Sequence, residues 1–129
     1  MELDFTKLDG LVPAVIQDVN TGEVLMLGFM NAEAYAETRA RGEVTFFSRT
    51  RNKLWRKGEQ SGHVLRVREM LVDCDVDSLL IRVEALGPGV CHEGYRSCFF
   101  RRLPAQGPAE IVGERMFDPA AVYGKGPVR

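Results

Sequence analysis

The sequence lacks most features that would place a protein in a membrane, outside a cell or on a nucleic acid. It holds no apolar run near the ~20 residues that span a bilayer. Its first residues, Met1-Glu2-Leu3-Asp4, are acidic and have no apolar core of signal-peptide length. Net charge is −1, so no general attraction to nucleic acid or to an anionic membrane is expected. Cysteine is scarce, and its count of 3 cannot pair off completely within the chain. Without a secretion signal, that points to reduced thiols and a cytoplasmic location. There is no C-x-x-C, so the usual spacing of a structural zinc site is missing. Internal repeats and low-complexity linkers are absent as well.

What remains is an ordinary globular composition, 45% hydrophobic and 27% charged over 129 residues, enough for one domain with a modest core. The pattern predicts a small α+β domain, a mainly antiparallel β-sheet with one main helix. Ala14-Val15-Ile16-Gln17-Asp18-Val19 and Val24-Leu25-Met26-Leu27-Gly28-Phe29-Met30 read as strands joined by the turn Asn20-Thr21-Gly22-Glu23. Gly28 within an apolar strand marks a bulge or a close backbone approach. Asn31 is a good N-cap, Gly42 a good stop, and Ala32, Tyr35, Ala36 and Ala40 are predicted to form the helix's core face. Glu43 to Ser48 is β-branched and aromatic, hence a strand. The stretch 64–72 fits both a strand and a helix period and is assigned as a strand because strands flank it. The core is placed at about 10–103. A tail follows at 104–129, with a loop at 104–107, a capped turn of helix at Asp118-Pro119 and a mobile end from 124.

All three cysteines fall near three aspartates. Asp73-Cys74-Asp75-Val76-Asp77 opens this stretch and Cys91-His92-Glu93-Gly94-Tyr95-Arg96-Ser97-Cys98 closes it. Thiolates suit zinc and carboxylates suit magnesium, so the stretch reads as two adjoining metal sites. Cys74, Cys91 and Cys98 would leave one zinc position open, as catalytic zinc requires. On a straight strand Asp73 and Asp77 would lie about 13 Å apart. Magnesium–oxygen bonds of about 2.0–2.1 Å cannot bridge that gap. If Asp73, Asp75 and Asp77 share an ion, the backbone must bend there. Otherwise the run is a solvated turn. A calcium loop fits poorly, because Ser78 stands where such a loop needs glycine.

A second concentration of chemistry is basic. Arg49, Arg51, Lys53, Arg56 and Lys57 fall within nine positions that carry no acid. Arginine forks and lysine point charges suit phosphate oxygens. The same run also reads as a solvated basic loop, and Trp55 within it either stacks on a ligand ring or packs. Gly58-Glu59-Gln60-Ser61-Gly62-His63 follows, a loop whose amides approach something closely.

Together these motifs resemble one family, the phosphoribosyl-AMP cyclohydrolases of histidine biosynthesis. The resemblance is carried by Met26-Leu27-Gly28-Phe29-Met30-Asn31, Phe47-Ser48-Arg49-Thr50-Arg51, the run Leu54 to His63, the aspartate run, Cys91-His92-Glu93-Gly94 and Arg96-Ser97-Cys98-Phe99. Glu93 departs from the family, which more often has threonine there. The resemblance implies a hydrolase that opens the adenine ring of a phosphoribosyl-AMP at N1–C6 with zinc-activated water. It implies zinc on Cys74, Cys91 and Cys98, magnesium on Asp73, Asp75 and Asp77, and proton transfer by His92 or His63. Substrate contacts are implied at Ser48, Arg49, Arg51, Trp55, Lys57, Ser61 and Gly62. It implies an intertwined homodimer with each zinc site shared between subunits. The cytidine-deaminase pattern H-x-E…P-C-x-x-C is absent, which counts against a different base-modifying hydrolase.

Overall fold

The computed structural model of the chain describes residues 2–124. Of the mobile end expected from 124, residues 125–129 lie outside them. β1 (Val12–Asp18) runs inside a four-stranded sheet. Its period-two alternation buries Val12, Ala14 and Ile16 completely on one face. β2 (Val24–Met30) returns antiparallel to it. The turn between them is organised by Asp18, whose carboxylate accepts from the Asn20 and Thr21 amides and whose carbonyl accepts from Gly22. The hairpin predicted from the sequence is therefore present.

β6 (Leu79–Ala85) lies on the other side of β1 and β5 (Leu65–Val72) lies outside β6, giving the order β2-β1-β6-β5. β1 and β6 are parallel, with Ile16 opposite Ile81. The sheet is thus mixed at its centre, while the remaining strand pairings are antiparallel, so the chain is mainly antiparallel as expected. A parallel neighbour arrives by a long crossover and leaves no local turn signal to read. Pro13 is tolerated in β1 because pairing with β6 begins only at Ala14. The double periodicity of 64–72 also has a cause. β5 carries an irregularity between Val67 and Glu69 that shifts its alternation midway.

α1 (Ala32–Arg41) starts where Asn31 accepts from the Ala34 amide at 2.8 Å and ends on Gly42 at φ 71°. Its buried face is not the predicted one. Ala34 and Thr38 are buried, whereas Ala32, Ala36 and Ala40 are exposed and Tyr35 is half-buried. Thr38 can be buried because its hydroxyl donates to the Ala34 and Thr45 carbonyls and accepts from the Thr45 amide. Methyl side chains lose little by facing water, so an alanine count does not locate the core face.

β3 (Thr45–Ser48) and β4 (Lys53–Arg56) form a separate antiparallel ribbon. Phe46 is wholly buried and lies against Gly28, where a Cβ would come within 2.5 Å of its ring. The glycine thus serves a close approach, not a bulge. β7 (Arg101–Arg102) and β8 (Glu110–Ile111) make a second short ribbon around the 104–107 loop. α2 (Pro119–Tyr123) follows Asp118, whose carboxylate accepts from the Ala120 amide at 3.0 Å. Among the described residues, no helix is long and apolar enough to cross a membrane.

Candidate active site and metal centres

The β3–β4 turn presents the basic residues. Asn52 takes the left-handed conformation that closes it (φ 54°), and the Ser48 hydroxyl accepts from the Arg51 amide at 3.2 Å. Arg56 is held by Glu43 at 2.9 Å, so it serves an ion pair within the fold. Lys57 is only 5% exposed. Its ammonium lies 5.9 Å from the Trp55 ring centroid, and the Arg49 guanidinium lies 4.1 Å from that of Phe29. Trp55 packs on Phe46 at 5.1 Å and also reaches the surface, so packing and exposure to a ligand are not alternatives here. The next loop turns at Gly58 (φ 90°), where a Cβ would meet the Val64 amide nitrogen at 2.5 Å.

These elements wall two adjoining clefts. One is lined by Ser48, Arg51, Trp55, Lys57, Ser61 and His92, among others, and by Tyr123 from α2. The other brings Phe29, Arg49 and Thr50 to the same Ser48, Trp55 and His92. Six of the seven predicted substrate contacts therefore meet around one histidine. Gly62 does not line either cleft; it shapes the loop, its amide donating to the Gly58 carbonyl at 2.7 Å. His63 is apart as well. Its ring meets Phe117 edge-on at 5.0 Å, it fills the space where Gly87 would carry a Cβ, and its Nδ1 is buried without a hydrogen-bond partner.

His92 belongs to the loop that carries two thiols. The Gly94 amide donates to the Cys91 carbonyl, the Cys91 amide donates to the Tyr95 carbonyl, and the Cys98 amide donates to the Leu25 carbonyl on β2. Ser97 ties the loop to β2 again through the Val24 carbonyl. Cys91 is buried, and a hydrogen bond from Cys98 pulls its thiol down to about 6. The Glu93 amide, 3.4 Å from Sγ, works in the same direction, whereas burial and the Glu93 charge oppose it. None of the three cysteines is in a disulfide.

Cys74 lies elsewhere, exposed in the turn between β5 and β6. Among the described residues it forms no cluster with Cys91 and Cys98. The same turn does gather the aspartates. Asp73 accepts from the Asp77 and Ser78 amides, Val76 takes φ 57°, and one carboxylate oxygen from each of Asp73, Asp75 and Asp77 lies within 4.8 Å of the others. The bend required for a shared ion is thus present. Two oxygens on one octahedral magnesium lie at most about 4.2 Å apart, so the carboxylates need only a small closure. A cation already tests the fit, because the Lys7 ammonium lies 3.2 Å from Asp75 and 2.9 Å from Asp77. Its hydrogen bond is the main reason the Asp75 carboxyl sits below its usual range. Lys7, Phe117 and Tyr123 lie far from the motifs in sequence, and nothing in their local pattern signals a place near the sites.

The chain is similar to known proteins over most of its length. Residues 26–100 match the family model described as phosphoribosyl-AMP cyclohydrolase. A protein of that name from Solibacter usitatus is 60% identical over 124 residues, covering 96% of this chain and 98% of its own. Those from Pelotomaculum thermopropionicum and Desulforapulum autotrophicum are 54% and 51% identical, covering 96% and 95% of this chain and 97% and 98% of their own.

Proposed function

The chain belongs to the phosphoribosyl-AMP cyclohydrolase family, hydrolases of histidine biosynthesis, and from that premise we propose how its residues carry the reaction. The substrate is an adenine nucleotide with a second phosphoribosyl group on N1. Water adds at C6, and the N1–C6 bond breaks. The water oxygen stays on C6 as a carboxamide, and N1 leaves as a protonated formimino nitrogen.

The observation that carries this reading is the pair of clefts sharing Ser48, Trp55 and His92. A molecule with two phosphoribosyl arms needs two adjoining anion-binding spaces and one reacting centre between them. Arg51 and Lys57 serve one arm and Arg49 the other. His92 stands where the clefts meet and donates the proton to N1, for which an imidazole near neutral pH is suited. His63 is removed from that meeting point, which favours His92 as the acid.

Cys91 and Cys98 hold zinc beside His92, with Cys74 supplied by a second copy of the chain in a homodimer. The separation of Cys74 from the other two thiols within one chain supports that sharing. Zinc, when bound, supplies a water acidified enough to act as a nucleophile at neutral pH. Asp73, Asp75 and Asp77 hold magnesium, which offsets substrate phosphate charge. Thiols outside any disulfide support a cytoplasmic setting. The test is absorbance on mixing with phosphoribosyl-AMP, because ring opening changes the chromophore. Loss of the change in His92→Ala with zinc still bound supports the assignment, and a normal rate rejects it.

A further inference from the structure

The segment that follows β8 stays on the body of the protein. The Val112 and Gly113 amides donate to the Phe100 carbonyl at 2.9 and 3.3 Å, Arg115 bridges to Tyr95, and the Met116 amide donates to the Gly94 carbonyl at 2.7 Å. The approach is close enough to demand glycine. A Cβ on Gly94 would collide with the Phe117 carbonyl oxygen. So residues 112–117 lie as a strap across the loop that carries Cys91, His92 and Cys98.

The strap is poor core material. α2 has no buried residue, and Ile111, Val112 and Met116 are exposed. Ordering a segment costs conformational entropy that burial normally offsets, and here burial offers little. What the strap does achieve is placement. Phe117 anchors against His63 and approaches Gly89, α2 turns on its Asp118 cap, and Tyr123 arrives half-buried in the wall of the first cleft. Every other wall residue there comes from 48–61 or is His92. The cleft already has cations for phosphate and hydroxyls for ribose. Its other large aromatic, Trp55, is packed on Phe46. A second aromatic wall suits the flat heterocycle of a nucleotide.

We propose that Tyr123 contacts the substrate, laying its ring against the nucleobase, and that the strap 112–123 holds it there. This rests on the reading of the cleft as the substrate site. Base–aromatic stacking is sequence-tolerant and depends on the ring, not on a hydroxyl. The experiment measures steady-state ring opening for Tyr123→Ala, Tyr123→Phe and Arg51→Ala in the zinc-loaded enzyme, with melting temperatures alongside. Tyr123→Ala is expected to raise KM about ten-fold with kcat within about three-fold, and Tyr123→Phe to restore KM to within about two-fold. AMP binding, followed by calorimetry, should weaken in parallel in Tyr123→Ala. An unchanged KM in Tyr123→Ala, while Arg51→Ala raises it, overturns the role of Tyr123 alone. Unchanged KM in both variants overturns the substrate cleft itself. A Tyr123→Phe variant as impaired as Tyr123→Ala overturns the stacking contact.

Discussion

The 73–78 turn and the 91–98 loop both gather metal-ligand side chains, yet they do so in opposite ways. The turn is exposed, its donors are hard oxygens, and one chain brings all three together, with the Asp77 and Ser78 amides donating hydrogen bonds to the Asp73 carboxylate. The loop is sunk against β2 and Phe100, its donors are soft sulfurs, and within one chain it offers two. A locally assembled carboxylate site can exchange its ion with solvent at small cost. A buried thiolate such as Cys91 cannot stand alone without a large desolvation penalty. If zinc occupies the loop and magnesium the turn, as proposed, zinc is held tightly and needs a partner, and magnesium comes and goes. Exhaustive dialysis is expected to leave zinc and remove magnesium, and an active preparation without zinc would reject the thiol site as a zinc centre.

The largest effect tests the missing third sulfur. Cys74→Ser and Cys91→Ser should each abolish zinc binding and activity as homodimers. In a mixed dimer, one site carries both lesions. The other takes Cys74 from the Cys91→Ser chain and Cys91 with Cys98 from the Cys74→Ser chain. Random exchange of equal amounts makes about half the dimers mixed, so activity should return to about a quarter of wild type. A zinc site completed within one chain gives no recovery, and continued inactivity with exchange verified by mass tags would reject sharing.

Next in size is the histidine contrast. His92→Ala should lower kcat by about 10²–10⁴ with zinc retained, the range for a lost general acid. His63→Ala should change kcat far less, because its ring packs between Gly87 and Phe117 and lines neither cleft. Equal losses in the two variants would place the proton donor elsewhere. Below these comes Arg51→Ala. A charge-assisted phosphate contact contributes about 1.5–3 kcal/mol. KM should rise accordingly by roughly 10- to 150-fold, and an unchanged KM would remove Arg51 from the phosphate.

What was legible in the sequence is what short-range chemistry writes. The Asn31 cap, the Gly42 stop, the Asp118-Pro119 start and the first hairpin were readable because each depends on a few adjacent residues. The family was readable because its motifs put several residue types in a fixed order. The parallel β1–β6 pairing was not, since its register is set across the whole crossover. Nor was the Thr38 core face of α1, which depends on a hydroxyl finding the Thr45 backbone from another element. Lys7, Phe117 and Tyr123 reach the sites only through the fold, and no pattern around them announces it.

The smallest effect bears on the exposed half of the comparison. Asp4 donates its amide to the Val76 carbonyl at 2.7 Å, so the N-terminal segment is pinned beside the aspartate turn, and Lys7 bridges Asp75 and Asp77. Any magnesium that takes those oxygens must first displace the ammonium. The carboxylates raise the affinity of Lys7 for its own proton, so it remains charged at every pH near neutrality and cannot step aside by deprotonation. Lys7→Ala should therefore tighten magnesium binding, and by a modest factor, because an exposed ion pair is weak and solvent screens it. Roughly two- to five-fold is the expected size, shrinking at high salt. Calorimetric titration of the zinc-loaded protein with magnesium reads it directly. Lys7→Arg keeps the cation and should bind magnesium like wild type. If Lys7→Ala instead weakens magnesium, the lysine is part of the ion's support and not its competitor, and the exposed turn is not the self-sufficient site its three gathered carboxylates describe.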